Sequence, residues 1–401
     1  MRQNSAGNNK FLKEFNQAIL LDLIRIHKGI SKADLAKMTG LSPTAAGVIT
    51  ASLLEKGYIH ETGTGESKGG RRPVLLELKP HSFFSIGIDM DVDYMNVLLI
   101  DITGEILFEK AMNMPQNDDF EKTVTRIEET VISIMKEFKI SHDKLLGIGI
   151  SIPGIIDSIS GKVVLAPNLG WSDVDLPSHF NRLHGVPVKV ENEAMASAIC
   201  EGWVGACQGI DNFVCINIRS GIGAGIYTHG KPYRGVAGSA GEIGHIVVDE
   251  NGPKCGCGNY GCVETMASTG RIVEQAIKVV RQGSASCLNL LEDIDHITID
   301  QVTEAARNGD EEAGRVLAEA ARYLGIAISS LVNTLNPEKV VIGKDFVKYA
   351  DLVLESIKSI VARRALQYPA SRLDIVQSSL GEKASALGAA IIPLKVLFGR
   401  S

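Results

Sequence analysis

The sequence predicts an α/β chain with a small helical head and a larger two-lobed body, and three observations carry that prediction. At 401 residues the chain exceeds what one compact core usually holds. Residues 1–80 are patterned as helices and carry 12 Lys+Arg against 7 Asp+Glu, whereas the remainder carries 29 against 40. From residue 83 onward the pattern changes to short apolar runs between turn residues, alternating with longer helical stretches. A basic head on an acidic body is the footprint of a polyanion partner, chance on a small count being the alternative. No apolar run reaches the roughly 18 residues needed to span a bilayer. The first residues also lack the apolar stretch of a secretory leader. A cytoplasmic protein with no membrane partner is expected.

In the head, Phe11, Leu12, Phe15, Ile19, Leu20, Leu23, Ile24 and Ile26 recur at helical spacing, so residues 9–28 form a first helix that Gly29 stops. Ser31 caps a second helix over 32–39, with Leu35, Ala36 and Met38 facing inward. Gly40-Leu41 makes a tight turn. Ser42 then caps a third helix whose first residue, Pro43, loses nothing by lacking an N–H. Two helices joined by a glycine turn fit a helix-turn-helix. The start of its second helix, Ser42, Pro43, Thr44, Ala45, Gly47, Val48 and Thr50, offers small side chains and hydroxyls to a DNA groove, with Lys32 nearby. Two short strands follow, 58–61 and 74–78, around the loop GTGESKGGRRP. Lys68, Arg71 and Arg72 in that loop suit phosphates or the minor groove. The head therefore reads as a winged helix-turn-helix. A protein-interaction bundle is the competing reading of the helices alone, and His27 and His60 read as surface or cap residues.

In the body, strands over 83–89, 94–101 and 106–113, a helix over 120–139 and a strand over 145–151 repeat the opening of an actin-like or hexokinase-like lobe. A second copy begins near Phe213, passes through SGIGAG and continues at 226–229. Residues 305–333 read as one or two long helices, and 339–343 as a buried strand. The expected division is 1–80 for the head, 81–190 plus 384–401 for the first lobe, and 191–383 for the second.

The most specific signal is His245 with Cys255, Cys257 and Cys262 in GEIGHIVVDENGPKCGCGNYGCVE. One imidazole and three thiolates compose a closed structural zinc site, one ion per chain. Unligated cysteines or labile disulfides are the alternatives. Cys200, Cys207, Cys215 and Cys287 stand isolated and read as free thiols. Glu242 and Glu264 flank the metal set, and Asn192 with Glu193 sits at a strand-to-helix turn in VKVENEAMASA. Carboxylates and an amide around a cleft suit sugar hydroxyls, although each acid alone is by default a solvated surface residue.

These residues resemble a known family. GEIGH with CxCGxxGCxE, SGIGAG, and the run Pro153, Gly154, Asp157, Pro167, Asn168, Trp171 are similar to the ROK family of repressors, open reading frames and sugar kinases, over essentially the whole chain. The head ending in GGRRP resembles the repressor branch. SxGGRRPVLLEL, SIGIDMDVDYMN, VENEA and YRGVAGSAGEIGH look most like the xylose repressors of Gram-positive bacteria. The resemblance implies zinc on His245, Cys255, Cys257 and Cys262. It implies sugar contacts from Asn168, Asn192, Glu242, His245 and Glu264, with His245 serving both.

Three positions depart from the family's kinases. Their catalytic Asp, the residue after the Asn, is Glu193 here. Their phosphate-holding Gly-Gly-Thr is Met90-Asp91-Val92 after Asp89, where a bulky side chain and acids oppose phosphate. A nucleotide-side Gly-Gly has become Gly343-Lys344. Phosphoryl transfer rests on positioning, so sensing retained with catalysis lost is the coherent expectation. The function expected is a homodimeric or tetrameric repressor of operator DNA, released by a monosaccharide such as xylose. A sugar kinase with a fused DNA-binding head and a repressor governed by a protein partner are the alternatives.

Overall fold

A computed structural model describes residues 9–65, 72–115, 119–157 and 160–399. They divide into two compact units. One comprises 1–150, 175–190 and 389–401, and the other 151–174 and 191–388. Three expected divisions thus fall into two units. The head falls in the same unit as the first lobe, 151–174 clusters with the second lobe, and the division falls inside the C-terminal helix, between 388 and 389. Among the described residues no helix is long and apolar enough to cross a membrane.

In the first unit, helix Asn9–His27 leads through Ile30–Ser31 to helices Lys32–Thr39 and Pro43–Glu55. Ser31 Oγ accepts from Asp34 N–H and Ser42 Oγ from Ala45 N–H, each satisfying an orphan donor of the first turn. Gly40, at φ 71°, closes the middle helix in the left-handed conformation. Strands Ile59–Thr64 and Val74–Leu78 pair antiparallel, and Ile30–Ser31 pairs with Leu75 and Leu76 as a third strand. Two residues are too few to show a period, which is why that strand is invisible in the sequence. Leu20, Leu21, Ile24, Leu35, Ala46, Ile49, Leu53 and Leu76 form the buried centre. Met38, expected inside, is 52% exposed.

The lobe that follows is a five-stranded sheet in the order Val188–Asn192, Leu145–Ile152, Phe84–Met90, Tyr94–Asp101, Ile106–Asn113. Gly147 and Gly149 let the C-terminal helix lie against it. A Cβ on Gly149 would meet the Ala389 carbonyl oxygen at 1.9 Å, and one on Gly147 would meet Pro393 at 2.8 Å.

The second unit holds a five-stranded sheet in the order Lys231–Tyr233, Ile222–Thr228, Phe213–Ile218, Lys339–Lys344, Asp374–Gln377. Its last three strands run parallel, and helices Thr269–Arg281, Ile299–Arg307, Glu311–Leu335 and Ala350–Arg364 bury one apolar cluster around Ile216, Leu317, Leu324 and Ile342. The long helical stretch resolves into two helices, because Gly309 takes φ 90° and Asp310 caps the next. Residues Ile155–Ile156, Val163–Ala166 and Trp171–Val174 add a small antiparallel sheet.

Candidate functional site

His245 closes a short turn, Ile243–His245, and Cys262 opens helix Val263–Ala267. The ligand atoms of His245, Cys255, Cys257 and Cys262 all lie within 4.8 Å of one another. Cys257 Sγ is 3.7 Å from Cys262 Sγ, and Cys255 Sγ is 3.6 Å from His245 Nδ1. A tetrahedral ion with sulfur at about 2.3 Å separates two such sulfurs by about 3.8 Å, whereas a disulfide needs about 2 Å. The spacing therefore fits a metal and not a bridge. Burial pushes the Cys262 thiol up to about 12, and the neighbouring Cys257 and Cys255 push the same way. At exposed Cys257, the Asn259 backbone hydrogen bond draws the thiol down. Thiols this close ionise together only around a cation.

The loop is held by backbone packing. Gly261, at φ 62°, would place a Cβ 1.5 Å from the Asp249 carbonyl oxygen. Val248 N–H donates to Gly261 O, and Tyr323 OH donates to Asp249 Oδ2 at 3.1 Å, tying the loop to helix Glu311–Leu335. On its other side the loop is stitched to strand Ile222–Thr228. Ala224 N–H donates to Gly241 O, and Cβ atoms on Gly241 and Gly244 would meet the Ala224 and Ile222 carbonyl oxygens at 1.8 and 2.3 Å.

This stitching sets the carboxylates. Glu264 Oε2 accepts the Ile222 N–H at 3.1 Å, inside the SGIGAG turn. That turn is a tight hairpin in which Ile218 faces Ile222. Glu242 Oε2 lies 3.9 Å from His245 Nε2 with 42% of its side chain exposed. Partial burial pushes its carboxyl upward and Glu264 adds to that, against His245. Asn192 caps helix Glu193–Trp203, its Oδ1 accepting from Ala194 N–H at 2.9 Å and Met195 N–H at 3.2 Å, while Nδ2 donates to Gly154 O at 3.0 Å. Strand Ile222–Thr228 also touches this helix. A Cβ on Gly225 would meet the Ala194 carbonyl oxygen at 2.3 Å. The same strand thus contacts the loop that carries Glu242 and His245, the Glu264 carboxylate, and the helix that starts at Asn192–Glu193. Asn168 sits exposed on the turn Pro167–Leu169 of the small sheet. Sequence reasoning missed Arg234, which donates to buried Glu191 through Nε and Nη2 at 3.2 and 2.5 Å.

At the first-lobe turn, Asp89 Oδ2 accepts from Tyr94 OH at 2.7 Å, and Asp91 N–H donates to Tyr94 O. Met90 is 1% exposed. The turn is closed as a hairpin with its acids in it.

On the head, Ser42, Pro43, Thr44 and Val48 are exposed, and Ala45 and Gly47 half-buried. Thr50 corrects the expectation of a groove-facing hydroxyl. It is fully buried beside Ala46, Ile49 and Leu53, and its Oγ1 donates to Ala46 O at 2.9 Å. The helical period carries position 50 back to the inner side. Lys32 Nζ pairs with Glu61 Oε1 at 3.4 Å, and Arg72 is exposed. Lys68 and Arg71 lie outside the described residues.

Comparison with known proteins agrees with this layout. The ROK family model matches residues 85–396. A xylose repressor of Caldicellulosiruptor bescii is 36% identical over 95% of this chain and 96% of its own. The crystal structure of a ROK family transcriptional regulator, a homologue of an E. coli protein, superposes with a TM-score of 0.86 and 31% identity, covering 97% of this chain and 98% of that one. A ROK family glucokinase from Streptomyces griseus, in complex with glucose and AMPPNP, gives a TM-score of 0.69 and 31% identity, covering 77% of this chain and 98% of its own. The regulator covers nearly the whole chain and the glucokinase about three quarters of it, and the chain belongs to the ROK family.

Proposed function

We propose that this chain is a sugar-responsive transcriptional repressor that grips double-stranded operator DNA through its head and releases it when a monosaccharide occupies the body. The observation that carries the proposal is the coexistence of two sites in one chain. A capped helix presents Ser42, Pro43, Thr44 and Val48 to solvent, and in the other compact unit one strand contacts the loop that carries Glu242 and His245, the Glu264 carboxylate, and the helix that starts at Asn192–Glu193. The repressor relative that aligns along 95% of this chain supports it and points to D-xylose as effector. Zinc is the metal proposed for His245, Cys255, Cys257 and Cys262. Four protein donors leave no position for water, so its role is structural.

A homodimer would present two heads to an inverted repeat, with half-sites one or more helical turns apart. The effector and DNA residues belong to different units, so the response is a coupling between sites. Such couplings are typically about 1–3 kcal/mol, or about 5- to 150-fold. A fluorescence-anisotropy titration of operator DNA with and without D-xylose tests this. Operator Kd should rise within that range at saturating sugar, and indifference to D-xylose and to a panel of common monosaccharides would sink it.

The glucokinase likeness favours a second reading, a sugar kinase with a fused head. Against it stand Glu193 in place of the family's Asp, and the buried Met90 with its flanking acids. An ATP-coupled assay over the same sugar panel should give no turnover above background. Rates near the usual range of about 1–100 s⁻¹ would reverse the order of the two readings.

A further inference from the structure

Two departures from the kinase pattern, Glu193 and Lys344, meet in the structure. Lys344 ends the strand Lys339–Lys344 and is 1% exposed. Its Nζ lies 3.7 Å from Glu193 Oε2, with the two side chains 2% and 14% exposed. Lysine is almost never buried to this degree unless it is paired, because its ammonium gives up strong hydration. The backbone adds a second cost. Lys344 sits at φ 59°, ψ −136°, a region that glycine enters freely and a residue with a Cβ enters only under strain. A glycine here would avoid both costs, and what the lysine adds in return is its ammonium.

What the ammonium does is fixed by its neighbours. The parallel pairing of Phe213–Ile218 with Lys339–Lys344 sets Asn217 beside Gly343 and Ile218 beside Lys344. Asn217 Nδ2 donates to the Glu193 carbonyl oxygen at 3.3 Å and to Ser197 Oγ at 3.0 Å. Asn192 fixes the start of the same helix through Ala194 and Met195. The backbone of Glu193 is therefore pinned from both flanks, and Lys344 engages its carboxylate.

We propose that Lys344 is a positioning residue of the effector site, holding the Glu193 carboxylate fixed as an acceptor for one sugar hydroxyl. A carboxylate bound to an ammonium is a poor proton acceptor, and Glu193 then orders the sugar's O–H donor without removing its proton. Position 193 thus keeps the binding half of a kinase base's work and loses the proton-transfer half. This rests on the assignment of Glu193 to the sugar site in the proposed function.

The test is a double-mutant cycle read by isothermal titration calorimetry of the full-length chain with D-xylose. It compares the wild type, Lys344→Gly, Glu193→Gln and the double variant. Glycine suits the backbone at 344, and melting temperature without sugar reports the fold. Should Lys344→Gly unfold, Lys344→Met, which keeps most of the side-chain packing, carries the same expectation. Lys344→Gly should weaken D-xylose binding by about tenfold or more, the scale of losing a hydrogen bond to a charged group. The double variant should bind no more weakly than Glu193→Gln alone, because Lys344 acts through Glu193. A purely structural lysine would instead give losses that multiply. Undiminished affinity in Lys344→Gly, or multiplying losses, overturns the role of Lys344 and leaves the sugar-sensing reading standing. A wild-type chain that binds neither D-xylose nor any sugar of the panel overturns both.

Discussion

The loop around the His245, Cys255, Cys257 and Cys262 cluster and the helices of the head both depend on glycine, but for opposite reasons. In the loop, glycine permits contact. Cβ atoms on Gly241, Gly244 and Gly261 would fall 1.8, 2.3 and 1.5 Å from the carbonyl oxygens of Ala224, Ile222 and Asp249. In the head, glycine permits conformation. Gly40 and Gly57 take φ 71° and 78° with nothing within 4 Å of a Cβ, and Gly47 sits within a helix in equally open space. The loop is therefore built to one tolerance, in which fold and site fail together. The head is built from caps and propensities, whose effects are graded and separable from contact with DNA.

The harshest way to press that difference is to remove the metal. Cys257 is exposed, so Cys257→Ser changes little packing and acts through ligation alone. The wild type should carry one zinc per chain by atomic emission, and the variant none. The sugar lobe should lose on the order of 5 kcal/mol or more, seen by calorimetry, with the head's operator contacts unaltered in kind. A variant with full sugar response and no zinc would show that the loop stands without its ion. Next in size is Gly241→Ala, which forces a methyl carbon into the Ala224 carbonyl and should cost several kcal/mol. Because Glu242 follows directly, xylose binding should fall with the melting temperature.

In the head the same substitution should separate the two properties. Gly47→Ala enters open space within a helix and should raise its stability by roughly 0.5–1 kcal/mol. Residue 47 also lies on the side that carries Thr44 and Val48, where small side chains allow a close approach to the groove. Operator affinity should therefore fall while the melting temperature rises. If both fell, the head would be packed like the loop and the contrast would be lost. Removing a cap is milder. Ser42→Ala takes away the acceptor for Ala45 N–H and should cost about 1 kcal/mol.

The head was legible in the sequence because its boundaries are chemical. Gly29, Ser31, Gly40, Ser42 and Pro43 each mark a helix end by a local mechanism, and the helices stop where those residues stop them. Thr50 was misread because its hydroxyl suggested a surface role, while the helical period placed it inside. The His245 and Cys255–Cys262 cluster was legible because thiolate and imidazole donors at short spacing have few other uses. The Glu193–Lys344 pair was legible only as two separate oddities. A contact between a helix start and the end of a distant strand depends on sheet order, and no local pattern encodes that order. Arg234 with Glu191 was hidden for the same reason.

The smallest expected effect concerns acid, and it sets charged caps against neutral ones. The head's second and third helices begin at Ser31 and Ser42, which carry no charge. Helix Glu311–Leu335 of the second unit begins at Asp310. Burial alone would raise that carboxyl. The Ala313 N–H, the Ser286 hydroxyl and the Cys287 N–H outweigh burial and hold it at about 2, below its ordinary 3.8. A depressed folded-state value means the ionised cap stabilises the fold above pH 3.8 and ceases to as pH falls toward 2. Asp310→Asn keeps a competent cap without the charge, so the difference in melting temperature between wild type and variant should shrink between pH 5 and pH 2.5. Asp310 is only half-buried, and screening by solvent keeps the effect under about 1 kcal/mol. A gap that stayed constant with pH would mean that the cap works by hydrogen-bond geometry alone, as Ser42 does. The two regions would then differ in packing but not in how their helices begin.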